Sequence, residues 1–141
     1  MKKAVTFLII LLLCSISCSD DTVSDDTDND SNDRIIGTWA LRAQTNSNTA
    51  LELSACEQMT SIVFAADKST ETQRFSEVNG DCTLASSSSS TWQFEIGSVY
   101  EFALPGQSKL NHDVDFISTN RFRVIYTVGN ATISQTYQRQ L

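Results

Sequence analysis

The chain has 141 residues, 40% of them hydrophobic, with 10 basic and 17 acidic side chains and a formal charge of −7. That length leaves room for one domain after any targeting segment is removed. An acidic balance excludes a basic nucleic-acid footprint, and one histidine with four cysteines offers few groups for a metal centre.

The first element is a targeting segment. Lys2 and Lys3 precede Ala4 to Leu13, an apolar run broken only by Thr6. Ten residues are too few to cross a hydrocarbon core of ~30 Å, which takes a helix of ~20, but they suit a signal-peptide core. Ser15-Ile16-Ser17-Cys18 then resembles a lipobox, whose cysteine receives a diacylglycerol before cleavage. Cys14 is the weaker candidate, because Leu11 to Leu13 put bulk where small residues are needed. The reading is a signal peptide over residues 1–17 and a lipid-anchored Cys18 as the first mature residue. Two or three acyl chains would hold the protein stably on the bilayer. An ordinary secreted protein with an unused cysteine is the alternative.

Residues 18–33 follow as a lipidated Cys18 and an acidic linker. Between Ser19 and Asp33 seven residues are Asp, and Val23 is the sole apolar side chain. Such a segment cannot bury enough surface to offset its ordering entropy, and it is expected to be a disordered tether. Asp28 and Asp30 hint at a calcium loop, but its glycine and closing glutamate positions hold Asp33 and Trp39, so no metal site is assigned. Cys18-Ser19-Asp20-Asp21 resembles the acidic export signal of Bacteroidota lipoproteins. That resemblance implies an outer-membrane lipoprotein exposed on the cell surface, with the periplasmic face as the alternative. Asp21-Thr22-Val23 is similar to the O-glycosylation sequon of that phylum.

Residues 34–141 form the folded part, with a charge near −2. No long stretch shows helical periodicity. Alternation of period two runs through Trp92-Phe94-Ile96, Leu110-His112-Val114-Phe116, Phe122-Val124-Tyr126-Val128 and Ala131-Ile133-Tyr137. Strands are expected near 35–43, 59–66, 70–78, 90–96, 99–104, 108–117, 120–128 and 130–139. Loops are expected near 44–58 and 79–89, the second ending in the Ser86 to Ser90 run. Eight strands joined by short turns, with no helix to cover them, must close into a barrel or fold into two packed sheets, and the simpler answer is an all-β, up-and-down antiparallel barrel.

Cys56 and Cys82 remain once Cys14 and Cys18 are accounted for. They flank the second and third expected strands at one end of the barrel, and in an exported protein a disulfide is expected. A redox or metal role lacks both a CxxC spacing and a neighbouring histidine.

Ile36-Gly37-Thr38-Trp39 at the start of the first strand resembles the Gly-x-Trp signature of lipocalins, and Tyr137-Gln138-Arg139 resembles that family's closing arginine. The ordered set Gly37, Trp39, Leu53, Cys56, Ile62, Phe64, Cys82, Trp92, Tyr137 and Arg139 is similar to short lipocalin-like domains of Bacteroidota lipoproteins. One departure is Ala66-Asp67-Lys68-Ser69, where that family has a glycine-containing turn. The resemblance implies an eight-stranded lipocalin-like barrel closed by Arg139 stacked on Trp39, and a cavity for a small hydrophobic ligand. Trp92, Phe94, Phe116, Phe122 and Tyr126 fall on the expected inner faces and are the candidate cavity residues. So many aromatics in a short barrel also predict a largely packed interior, with any pocket small and near the open end.

Catalysis finds little support. His112 stands alone, with Asp113 on the opposite strand face and Asp115 beside it there, which precludes a triad. No cofactor is implied. The functional reading is a non-enzymatic, membrane-anchored binding module for a small hydrophobic or amphipathic ligand. The alternative is a packed barrel acting through its outer surface as an accessory, interaction or inhibitor lipoprotein.

Overall fold

A computed structural model describes residues 33–141; the expected signal peptide, Cys18, Thr22 and the acidic segment up to residue 32 lie outside the described residues. The strands are β1 (Gly37–Asn46), β2 (Thr49–Leu51), β3 (Ser61–Phe64), β4 (Ser69–Val78), β5 (Asp81–Thr91), β6 (Gln93–Ile96), β7 (Val99–Ala103), β8 (Lys109–Ser118), β9 (Arg121–Val128) and β10 (Ala131–Arg139). A 3-10 turn at Glu57–Met59 is the one helical element among the described residues. The ladder runs β5-β4-β3-β1-β10-β9-β8-β7-β6, with β2 folded back on β1. Every pairing is antiparallel, and the first and last long strands are neighbours, Trp39 lying opposite Arg139.

The hydrogen-bonded path is open between β5 and β6, and the reason lies in one bend. Following antiparallel partners around the ladder gives β5 and β6 the same direction. They are two halves of one strand interrupted at Trp92: the first half pairs with β4 and the second with β7. A strand that changes partners at a bend is how sheets turn corners. Counted this way, eight long strands wrap one core, and β2 is a short ribbon added at the rim.

Two expected loops are partly strand. Residues 79–89 were expected as a loop because Cys82 to Thr91 shows no apolar alternation, yet β5 pairs with β4 along its length. Its core-side positions are Ser86, Ser88 and Ser90, opposite Arg74, Thr72 and Thr70, and the Thr72 and Ser88 hydroxyls are 2.7 Å apart. The partner strand holds this segment extended, a context effect that outweighs local pattern. Within 44–58, β1 continues to Asn46 and turns into β2 through Ser47 and Asn48, both at positive φ, as a two-residue hairpin of type I′ requires. The turn without glycine between β3 and β4 is closed by Lys68, which takes φ +67°, while Asp67 accepts the amide and hydroxyl hydrogens of Ser69. That carboxylate is held below the usual range, first by the Ser69 hydroxyl.

The core is aromatic. Trp39, Phe64, Trp92, Phe102, Phe122 and Tyr137 are all buried, joined by Ile35, Ile62, Leu104, Val114 and Val124. Phe64 makes edge contacts with Phe102 at 5.0 Å and Phe122 at 6.4 Å, and Tyr137 stacks on Phe122 at 5.1 Å. Alternation fails at two kinds of place. Phe94 faces inward opposite the buried Tyr100 but is 43% exposed because β6 is an edge strand, and the register shift between Phe94 and Ile96 turns Ile96 outward, 75% exposed. Leu110 and Val128 keep the inward parity of His112 and Tyr126 but stand at the open rim, where nothing remains to cover them.

Candidate functional site

The two ends of the barrel differ. At one end lie the β3–β4, β6–β7 and β8–β9 turns, together with residues 33–36. Ile35 is fully buried there, and its carbonyl accepts the Trp39 indole hydrogen at 2.6 Å. The Arg139 guanidinium lies 4.2 Å from the Trp39 ring centroid and donates to the carbonyls of Ile36 and Arg34. Gly37, at φ +139°, is the residue over which that guanidinium passes; a Cβ there would collide with Arg139 Nη1. The residue before the Gly-x-Trp motif, the motif itself and the closing arginine thus form one latch that seals this end. Tyr100 adds a further tie, donating to Asp33 Oδ1 at 2.8 Å; burial, then Asp33, pushes its phenol well above the ordinary range. Arg34 covers Phe116 at 4.4 Å.

At the other end lie the β1–β2, β4–β5, β7–β8 and β9–β10 connections and the Cys56–Cys82 disulfide, whose Cα atoms are 5.0 Å apart. The expected bridge is present. It pins the segment carrying the 3-10 turn to the start of β5. Ser54 and Glu57 lock that segment further, the Ser54 amide donating to the Glu57 carboxylate at 2.8 Å and the Glu57 amide to the Ser54 hydroxyl at 3.2 Å.

Between these elements is a cup of about 180 Å³. Leu41, Leu53, Phe75 and Tyr126 give it an apolar side. Gln44, Gln107, Gln135, Thr60, Glu57 and Arg74 supply polar groups, and Pro105-Gly106 closes the lip. Gln135 donates to Gln44 at 2.9 Å and accepts from the Tyr137 hydroxyl at 2.9 Å, tying the polar wall to the core. Burial raises the Tyr126 phenol, with Gln107 and Arg74 acting in the opposite direction. A shallower groove of about 620 Å³ lies on the outer wall near the sealed end, along Arg34, Tyr100, Asp113, Asp115, Phe116 and Ile125.

Of the five aromatics expected to line a cavity, Tyr126 alone borders the cup. Trp92 and Phe122 are packed within the core, Trp92 donating its indole hydrogen to Ala65 O at 2.8 Å beneath the Lys68 ammonium. Phe116 is half-buried at the sealed end and lines the outer groove, while Phe94 on the edge strand β6 packs against its partner Tyr100 at 5.4 Å and is otherwise exposed. The cup residues that sequence reasoning passed over come mostly from strand ends and loops. Arg74 had one signal, because it continues the inward parity of Thr70 and Thr72 along β4.

His112 is buried with its ring 4.6 Å from Phe102 and 6.4 Å from Tyr126, and its Nε2 has no partner. Burial holds its pKa below the ordinary value, only partly offset by the Phe102 backbone. Asp113 accepts the Ser98 hydroxyl and Asp115 pairs with Arg123, both on the other strand face. The group is therefore a core imidazole without a carboxylate partner. Among the described residues, no three His, Cys, Asp or Glu side chains converge as a metal site.

A single antiparallel sheet rolled into a cup, sealed at one end by an arginine on a tryptophan and open at the other, defines the lipocalin type of barrel. Residues 35–124 match the family model of the lipocalin-like domain, and the chain belongs to that family. Among solved structures, it is similar to a redesigned β-barrel, with 16% identity and a TM-score of 0.49 over 77% of this chain and 93% of that one. It is also similar to the bovine lipocalin allergen Bos d 2, with 16% identity and a TM-score of 0.44 over 80% of this chain and 76% of that one. No curated protein matches the sequence.

Proposed function

We propose that the protein is a membrane-anchored, non-enzymatic binding module that takes a small amphipathic ligand into the cup at the open end of its barrel. The observation that carries this reading is the cup itself: about 180 Å³, with a mostly polar lining and a smaller apolar part, above a floor of packed aromatics. Ligand sites usually run to about 300–1,000 Å³ for drug-sized molecules, so the ligand here is smaller, or only one end of it enters. Acylated Cys18 supplies the anchor, at the outer membrane and on the cell surface, and residues 19–33 supply the spacer. Residue 33 enters the barrel at the sealed end, which supports a geometry in which the cup opens away from the bilayer. Palmitate labelling of the intact chain and of Cys18→Ala tests the anchor, and a variant that stays membrane-bound contradicts it. Native mass spectrometry of the folded chain against a panel of small amphiphiles tests the binding. One-to-one adducts are expected, and a ligand-free mass across the panel contradicts it.

A second reading is favoured by the filled interior. Ile96, Ile117 and Ile125 are 75%, 51% and 51% exposed, and Ile125 borders the outer groove. In that reading the barrel acts through this wall on a protein partner. Loss of partner capture in Ile125→Glu, with cup variants silent, would decide for it.

A further inference from the structure

We infer that the cup selects a small monoanion, a carboxylate carried on an apolar group about the size of one six-membered ring, with Arg74 as the anion-binding residue. The inference rests on the cup being a binding site and names the class of ligand it takes.

The argument starts from the arginines. Arg42 donates to the carbonyls of Leu41 and Gln58, Arg121 to Gln138, and Arg139 to Ile36 and Arg34. Arg123 pairs with Asp115, and Arg34 covers Phe116. Arg74 alone, among the arginines of the described residues, has no hydrogen bond, ion pair or ring partner of its own, and it lines the cup. A guanidinium is a planar fork of five donors that matches a carboxylate and is never deprotonated in proteins. Its surroundings are already built. The Arg74 side chain passes beside Gly106, where a Cβ would come within 3.5 Å of its Nη1, and Gln107, Gln135 and Tyr126 line the same space. The one carboxylate of the cup, Glu57, is committed to the Ser54 amide and forms no ion pair with Arg74.

Volume sets the size of the rest. An apolar cavity of about 150 Å³ holds benzene. The 180 Å³ here has room for one ring and a charged group, with Leu41, Leu53 and Phe75 as the smaller apolar part of a mostly polar lining. A long acyl chain does not fit, because Phe102, Phe64 and Phe122 fill the barrel below.

The test is isothermal titration of the intact chain with benzoate and with benzamide, its neutral counterpart of equal size. Benzoate should bind tighter by about fivefold to tenfold, the range of a charged over a neutral hydrogen-bonded pair. Arg74→Gln should lower benzoate affinity far more than benzamide affinity, so that the difference between the two probes closes, and Arg74→Lys should keep part of that difference. Arg74 is exposed, so the core does not depend on it. Equal affinity for the two probes, or benzoate binding that survives Arg74→Gln, overturns the anion assignment and leaves the cup reading standing. Benzamide bound without benzoate does the same. Binding of neither probe overturns both.

Discussion

Arg139 and Trp39 lie opposite each other across the β1–β10 ladder, the guanidinium 4.2 Å above the indole centroid, with the space between them and the chain start cleared by Gly37. One side chain thereby joins the two ends of the domain and satisfies two carbonyls of residues 34–36. Arg139→Ala removes the cation–π contact and the donor to the part-buried Ile36 carbonyl, at a cost of about 1–3 kcal/mol. Gly37→Ala meets the guanidinium and a backbone angle that L-residues avoid, costing about 1–3 kcal/mol. Urea unfolding with an unchanged slope checks both, and a loss below about 0.5 kcal/mol for either would contradict the latch.

The disulfide acts at the opposite end. Cys56 and Cys82 close a separation of 26 residues, so the double variant Cys56→Ser/Cys82→Ser should lose roughly 3–4 kcal/mol. Because the bridge holds the cup-lining Leu53 and Glu57, amide exchange in residues 52–60 should accelerate more than in β8 to β10. Uniform acceleration would show that the bridge stabilises the whole barrel and not its mouth.

His112 makes stability depend on pH. The folded protein holds the imidazole neutral below its ordinary pKa, so as pH falls past about 6.5 the unfolded chain binds a proton that the folded chain refuses. Stability should therefore be full above that pH and decline beneath it, down to the lower folded pKa. Melting temperatures from pH 7.5 to 5 check this. His112→Gln should flatten the slope over that interval, and an unchanged slope would assign it to another group.

The aromatic floor sets the depth of the cup. Phe102 is fully buried against Phe64 and His112, and Phe102→Ala should cost about 3–5 kcal/mol. The void it leaves should let longer carboxylates such as octanoate bind. Failure of octanoate to gain affinity in a variant that remains folded would mean that the floor does not limit ligand length.

Much of this fold was legible in the residues. Val114, Phe122, Val124 and Tyr137 are buried where strict alternation puts them, because β8 to β10 have a single wet face. Gly37, Trp39 and Arg139 pointed to first and last strands side by side, which the β1–β10 ladder bears out. What could not be read was set by long-range pairing. Serine hydroxyls can line the inner side of a strand only because β4 presents Thr70 and Thr72 opposite them, so the Ser86 to Ser90 run carries no local sign of being strand. Phe94 faces inward opposite Tyr100 yet stays exposed, because the chain changes partners at Trp92 and leaves β6 as an edge strand, a bend without glycine or proline to announce it. Arg74 carried no sign of a site in the sequence beyond its parity, since its place in the cup depends on the β7–β8 lip, where Gly106 lines the same space.

The most direct measurement is NMR shift mapping of the intact chain during titration with benzoate. The account predicts saturable shifts at Leu41, Leu53, Phe75, Gln107 and Tyr126, with the Trp39 and Trp92 indole signals unmoved because both rings lie in the packed core. Shifts confined to Asp113, Asp115 and Ile125 on the outer wall, or shifts in both indoles, would contradict it.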